Sequence, residues 1–174
     1  MRLFNVRYSV FMLVVGCGVL SDVTGQTPDW MFALEGTYVG RLEVMDGESK
    51  TKSDVRLDGL RNGDEDGFVL QFATSTEQGI RERVEMWSWD DQAGQVQMTT
   101  LEDNKPTKFS WFVNANGRQV VLSRGGSENG RAVLIEYRIQ RFPGELRLNR
   151  FINDGSGEWV LRDRYILDEE EIED

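Results

Sequence analysis

The stretch Val133-Leu134-Ile135-Glu136-Tyr137-Arg138-Ile139-Gln140 puts Val133, Ile135, Tyr137 and Ile139 on one side of an extended chain. Glu136, Arg138 and Gln140 fall on the other. Successive side chains of a strand point to opposite faces, so a period of two with one apolar side describes a sheet wetted on one face only. The alternation returns at Phe109, Trp111 and Val113, which oppose Lys108, Ser110 and Phe112. It returns at Leu146, Leu148, Arg150 and Ile152, and again at Trp159, Leu161, Asp163, Tyr165 and Leu167, opposite Arg162 and Arg164. From Leu34 onward no helical period lasts ten residues.

Turn chemistry separates these runs. It recurs at Asp46-Gly47, Asn62 through Gly67, Ser75–Gly79, Asp90–Gly94, Glu102–Pro106, Asn116-Gly117, Gly125–Gly130, Pro143-Gly144 and Asp154–Gly157. Asn-Gly and Asp-Gly supply the positive φ angles of tight hairpins. Nine turns imply about ten strands in an antiparallel meander. The chain holds 18 Gly but only 3 Pro, as expected where strands must stay paired and only turns need special angles. Ten sequential strands leave two exposed edges unless the sheet closes. The fold expected over residues 34–167 is therefore all-β, an antiparallel up-and-down barrel of about ten strands, with a two-sheet sandwich as the alternative.

The run Leu34-Glu35-Gly36-Thr37-Tyr38-Val39-Gly40, after Trp30-Met31-Phe32-Ala33, resembles the Gly-x-Trp motif that opens lipocalin-like (calycin) barrels, with Tyr38 where Trp is usual. Trp89-Asp90-Asp91-Gln92-Ala93-Gly94-Gln95-Val96 is similar to the mid-barrel hairpin of a group of uncharacterised secreted bacterial barrels of that type. The resemblance implies a closed barrel with an apolar-ligand cavity, and it implies no reaction.

Both ends carry other signals. Met1–Ser9 holds Arg2 and Arg7 and no acid, and Val10–Leu20 is an apolar run too short for the roughly 20 residues of a membrane span. A charged segment followed by a short apolar one is the pattern of a secretory signal peptide, here residues 1–25 with the polar tether that begins at Ser21. Val14-Val15-Gly16-Cys17 resembles the bacterial lipobox, which implies acylation of Cys17 as the mature N-terminus, in the cell envelope. Ordinary cleavage after Val23-Thr24-Gly25 is the alternative, with secretion as its outcome; Cys17 is then one more apolar residue of a discarded segment. Residues 168–174, Asp-Glu-Glu-Glu-Ile-Glu-Asp, read as a solvated acidic tail without fixed structure.

Charge and absences bound the function. The net charge is −10, and loss of Arg2 and Arg7 with the signal would make it −12. Such a surface repels nucleic-acid phosphates and anionic lipids, so no nucleic-acid partner is expected and membrane contact would run through the lipid anchor alone. There is no histidine, which removes histidine-ligated haem, His-bearing zinc sites and Ser-His-Asp triads. With its one cysteine in the signal segment, the chain offers no thiol nucleophile. No cofactor, metal or catalytic residue is assigned; an enzyme here would have to work with carboxylates, hydroxyls, Lys or Arg. Asn62-Gly-Asp64-Glu-Asp66-Gly67 fits the start of a calcium loop, but Ala73 stands where the bidentate Glu belongs, so it reads as an acidic turn. Gly125–Gly130 lacks the Lys-Ser/Thr of a phosphate loop.

The residues expected to bind a ligand are Phe109, Trp111, Tyr137, Arg150, Trp159, Asp163 and Tyr165, large apolar faces with a few polar groups to orient what they bury. If the Asp154–Gly157 turn pairs the last two strands, Arg150 and Asp163 meet on the apolar face. Such a pair must satisfy itself or hold a ligand. Fatty-acid-binding barrels grip a carboxylate through Arg-x-Tyr in the last strand. The order here is Arg162-Asp163-Arg164-Tyr165, and neither arginine stands two before the tyrosine. The expected function is binding of a small apolar or amphipathic molecule. A side-chain-filled structural barrel of the envelope is the alternative.

Overall fold

The computed structural model describes residues 28–47, 49–61, 67–116 and 119–170. After a single helical turn, α1 (Asp29–Phe32), ten strands follow in order: β1 Gly36–Asp46, β2 Ser49–Arg61, β3 Gly67–Thr76, β4 Gly79–Asp90, β5 Gln95–Glu102, β6 Lys105–Asn116, β7 Gln119–Glu128, β8 Arg131–Phe142, β9 Glu145–Asn153 and β10 Val160–Glu169. Each pairs antiparallel with its neighbours in sequence, and β1 pairs with both β2 and β10, so the sheet is a closed barrel rather than a sandwich.

The turns work as their residues dictate. Asp103 and Asn104 both take positive φ between β5 and β6, and Asn129 and Gly130 do so between β7 and β8. These are the two-residue turns whose twist matches a right-twisted hairpin, and Asn, Asp and Gly adopt them at little cost. Register then follows from alternation. Leu57 pairs with Tyr38 and Phe72, Trp111 with Val96, and Leu148 with Ile139 and Tyr165, all on the inner face. The inner face carries the core, with Tyr38, Leu57, Leu70, Val96, Leu122, Leu146 and Leu167 fully buried.

One end of the barrel is closed by the segment before β1. Met31 and Leu34 are buried there, and Trp30 packs on Trp87 with ring centroids 6.5 Å apart. Gly59 makes room for this plug: a Cβ at that position would lie 2.0 Å from the Leu34 carbonyl oxygen. Arg141 ties the plug to the wall by donating to the Ala33 carbonyl and to the Tyr38 hydroxyl, while its Nη2 reaches Glu169 at 3.1 Å. Tyr38 in turn donates to the Glu35 carbonyl at 3.1 Å.

The last strand runs past residue 167, where the acidic tail was expected to begin. Asp168 and Glu169 belong to β10, the Glu170 amide donates to the Thr37 carbonyl, and Glu170 pairs with Arg56 at 3.0 Å. Like charges join a strand when cations flank them, and Arg141 and Arg56 do so here. The signal segment with Cys17, the Asn62–Asp66 turn and residues 171–174 lie outside the described residues.

Candidate functional site

The end opposite the plug is where the wall opens. β2 pairs with β3 only from Val55, opposite Thr74, although β2 begins at Ser49 and β3 continues to Thr76. The β1–β2 and β3–β4 hairpins therefore splay apart, and a cleft of about 1410 Å³ lies between them. Its lining includes Ser53, which shares the inner face with Leu42, and Lys52 and Glu82 from the outer face. The cleft is thus lined from both faces of the sheet at the open rim of the barrel. Arg81 stands in it, paired with Glu102 at 3.0 Å.

Toward this end the inner face carries charged side chains among its apolar ones, such as Ile135 and Ile152. Arg83, Glu85 and Trp87 on β4 pair with Phe72, Leu70 and Phe68 on β3, which puts all three side chains inside. Arg83 Nε lies 3.3 Å from Glu85 Oε1. No hydrogen bond forms at that nitrogen, so the contact is coulombic. Trp87 Nε1 donates to Glu85 Oε2 at 3.1 Å, and the Arg83 guanidinium lies over the Phe72 ring at 4.2 Å. Burial works against the charge on Arg83, but Glu85 and the tyrosines Tyr165 and Tyr137 outweigh it and hold the proton more firmly than usual.

Across the lumen Arg150 on β9 is the register partner of Asp163 on β10, and its Nε donates to Asp163 Oδ2. Tyr137 is the partner of Arg150 on the other side, and Tyr165 packs on Phe72 with centroids 5.4 Å apart. Burial, chiefly, pushes both hydroxyls above the ordinary tyrosine range, with the neighbouring arginines working against it. Beside them Phe109, Trp111 and Tyr137 form a chain of edge-on rings, 6.4 and 5.3 Å between centroids. Arg124 lies over this chain, 4.0 Å from the Phe109 ring and 4.7 Å from that of Trp111.

Six of the seven residues expected from the sequence thus share the lumen: Phe109, Trp111, Tyr137, Arg150, Asp163 and Tyr165. Trp159 does not join them. The ladder between β9 and β10 slips between Leu161 and Asp163, a bulge that inserts one residue and reverses the alternation before it. Trp159 consequently packs with Phe151 around Arg138, whose neighbour Tyr137 is the one facing inward. Arg162, the inserted residue, reaches Glu128 on β7 at 2.7 Å.

Arg83, Glu85 and Arg124 are lumen residues that the sequence reading did not select. On β4 the apolar Val84 and Met86 compete for the inner face, yet Met86 is exposed. The usable signal was the two-residue turn Glu77-Gln78: Thr76 opposite Gly79 forces Phe72 opposite Arg83. Among the described residues no group of three or more acids or cysteines is placed to hold a metal ion.

No protein-family model and no curated protein matches the sequence. Among solved structures, the chain is similar to the crystal structure of Rv2717c from M. tuberculosis. The TM-score is 0.58 at 12% identity, over 82% of this chain and 96% of that one. What the two share is a fold. At that identity the likeness shows the fold alone.

Proposed function

We propose that the barrel binds a small amphipathic molecule in the charged half of its lumen, admitted through the cleft between the β1–β2 and β3–β4 hairpins. One observation carries this reading. The inner face is plugged at one end, and toward the open end it bears Arg83, Glu85, Tyr137, Arg150, Asp163 and Tyr165 among the apolar Phe72, Ile135 and Ile152. Pockets that bury an apolar body and orient it use this mixture of aromatic surface and a few convergent polar groups. The lipocalin-like resemblance of Leu34–Gly40 supports the same reading.

The test is a titration with Nile red, a neutral apolar dye, followed by tryptophan emission. A saturable shift is expected. If none occurs up to about 100 μM, any affinity is weaker than roughly −5.5 kcal/mol. The second reading, a side-chain-filled structural barrel, then replaces the first. That reading draws on Trp111, which is only 1% exposed, and on the stacking of Arg83 and Arg124 over lumen rings.

We further propose export and acylation at Cys17, supported by the charged and apolar order of residues 1–20 and by the Val-Val-Gly-Cys sequence. Without a polybasic patch one acyl chain holds weakly, so the anchor needs more than one. Replacing Cys17 by Ser should move the protein out of the membrane fraction; unchanged fractionation rejects the anchor.

A further inference from the structure

The lumen arginines differ in one respect. Arg83 faces Glu85, Arg150 faces Asp163, Arg141 faces Glu169 and Arg162 faces Glu128. Arg124 has no carboxylate among the described residues. Its Nη1 donates to the carbonyl of Gly125, the next residue, at 2.9 Å, and its Nε is buried with no acceptor. The Phe109 and Trp111 rings beneath it attract a cation but offer no lone pair to its remaining N–H groups. A second donor in the same cluster is also unmatched: Trp111 Nε1 is buried without a partner, on a side chain 1% exposed. Buried donors are ordinarily paired, so two unmatched donors in one aromatic cluster suit a hydrogen-bond acceptor, and the charge of Arg124 favours an anionic one.

We propose that Arg124, with Trp111 Nε1, is the seat for the oxyanion end of an amphipathic ligand, a carboxylate or a group of the same charge and shape. The proposal rests on the ligand-binding reading above and adds its chemistry. Arg124 supplies charge and forked donors, the geometry that suits oxyanions. Phe109, Trp111 and Tyr137 supply the apolar wall beside it. Arg150 adds positive potential without being free to bind, because Asp163 already engages it.

The experiment compares decanoate with 1-decanol, equal in chain length and differing in the headgroup, by calorimetric titration of the barrel. Decanoate should bind at least about tenfold more tightly, as expected for hydrogen bonds to a charged group. R124M and W111F should each narrow that preference, R124M to near parity, with thermal unfolding confirming that the variants fold. Decyl sulfate binding as tightly as decanoate also supports the seat and widens it to oxyanions generally. Equal binding of decanoate and decanol to the native chain overturns the seat and leaves the binding reading standing. A preference that survives in folded R124M also overturns it. Failure of both ligands, with Nile red silent too, removes both proposals together.

Discussion

Arg83 and Glu85 stand two residues apart on the inner face of β4, their charged atoms 3.3 Å apart, and the Trp87 indole donates to the second oxygen of the same carboxylate. One carboxylate thus serves a cation and a neutral donor, and both side chains are largely withdrawn from water. Such a pair adds little net stability over an apolar replacement, but removing one member strands the other.

Replacing Glu85 with Ala should therefore cost about 3 kcal/mol in urea unfolding, because it leaves Arg83 charged and unpaired and Trp87 without an acceptor. The double variant R83M/E85Q should recover most of that loss. It buries no charge, and the glutamine amide oxygen still accepts from Trp87. A double variant as unstable as E85A would show that packing, not charge balance, governs this site.

The plug makes a second expectation. A methyl group at Gly59 would meet the Leu34 carbonyl at 2.0 Å and the Phe68 ring at 3.3 Å, so the plug segment must move. G59A should destabilise by about 1–3 kcal/mol, the usual range for overpacking. Gly125 has open space around its absent Cβ and no positive φ, and G125A should stay within about 0.5 kcal/mol of the native chain. Equal melting temperatures for the two variants would mean that the plug is not held against Gly59.

The barrel was legible from the sequence because its two determinants are local: alternation within strands and Asn, Asp and Gly at the turns. The Arg150–Asp163 contact was legible for the same reason, since one hairpin fixes it. What escaped depended on a single inserted residue or on a conflict between equal cues. The bulge at Leu161–Asp163 leaves no mark in composition, yet it turns Trp159 away from the lumen. On β4 hydrophobicity favoured Val84 and Met86, while register across the Glu77-Gln78 turn favoured Arg83 and Glu85, and register won. Ten closed strands constrain each other more strongly than two apolar side chains can. That Arg124 faces no carboxylate among the described residues is a property of three-dimensional neighbours, and no spacing rule reports it.

On the outer face, Glu43 is covered by its partners rather than by the core, with Lys50 Nζ at 2.7 Å and Arg41 Nε at 3.3 Å. The Lys50 hydrogen bond, opposed by burial and aided by the nearby cations, holds its carboxyl below the ordinary value of 4.5. A lowered acid contributes stability above its unfolded value and loses it as pH falls through the folded one. The melting temperature of E43Q should lie below that of the native chain at neutral pH, by an amount equivalent to no more than about 1 kcal/mol for so exposed a set of partners. The gap should close as pH drops below 4.5. A gap that persists unchanged in acid assigns the effect to shape and not to charge.

The tyrosines set the opposite limit. Tyr38, Tyr137 and Tyr165 are all raised above the ordinary value of 10.0, each chiefly through burial, with arginines opposing: Arg141 at Tyr38, Arg83 and Arg150 at Tyr137, Arg83 at Tyr165. The folded chain therefore keeps these protons at a pH where the unfolded chain releases them. By linkage, their contribution is complete below pH 10 and declines as pH rises above it, since ionisation then favours the unfolded state. Thermal unfolding followed from pH 8 upward should show a melting temperature that is flat up to about 10 and falls beyond it. Tyrosinate absorbance should lag behind that of a denatured control and then rise together with unfolding. In Y137F/Y165F the decline should be shallower, because two of the three groups that drive it are gone. If the native absorbance instead rises near pH 10 for every tyrosine while the fold persists, water reaches these hydroxyls, and the charged half of the lumen is wetter than the packing of Tyr137 against Trp111 and of Tyr165 against Phe72 implies.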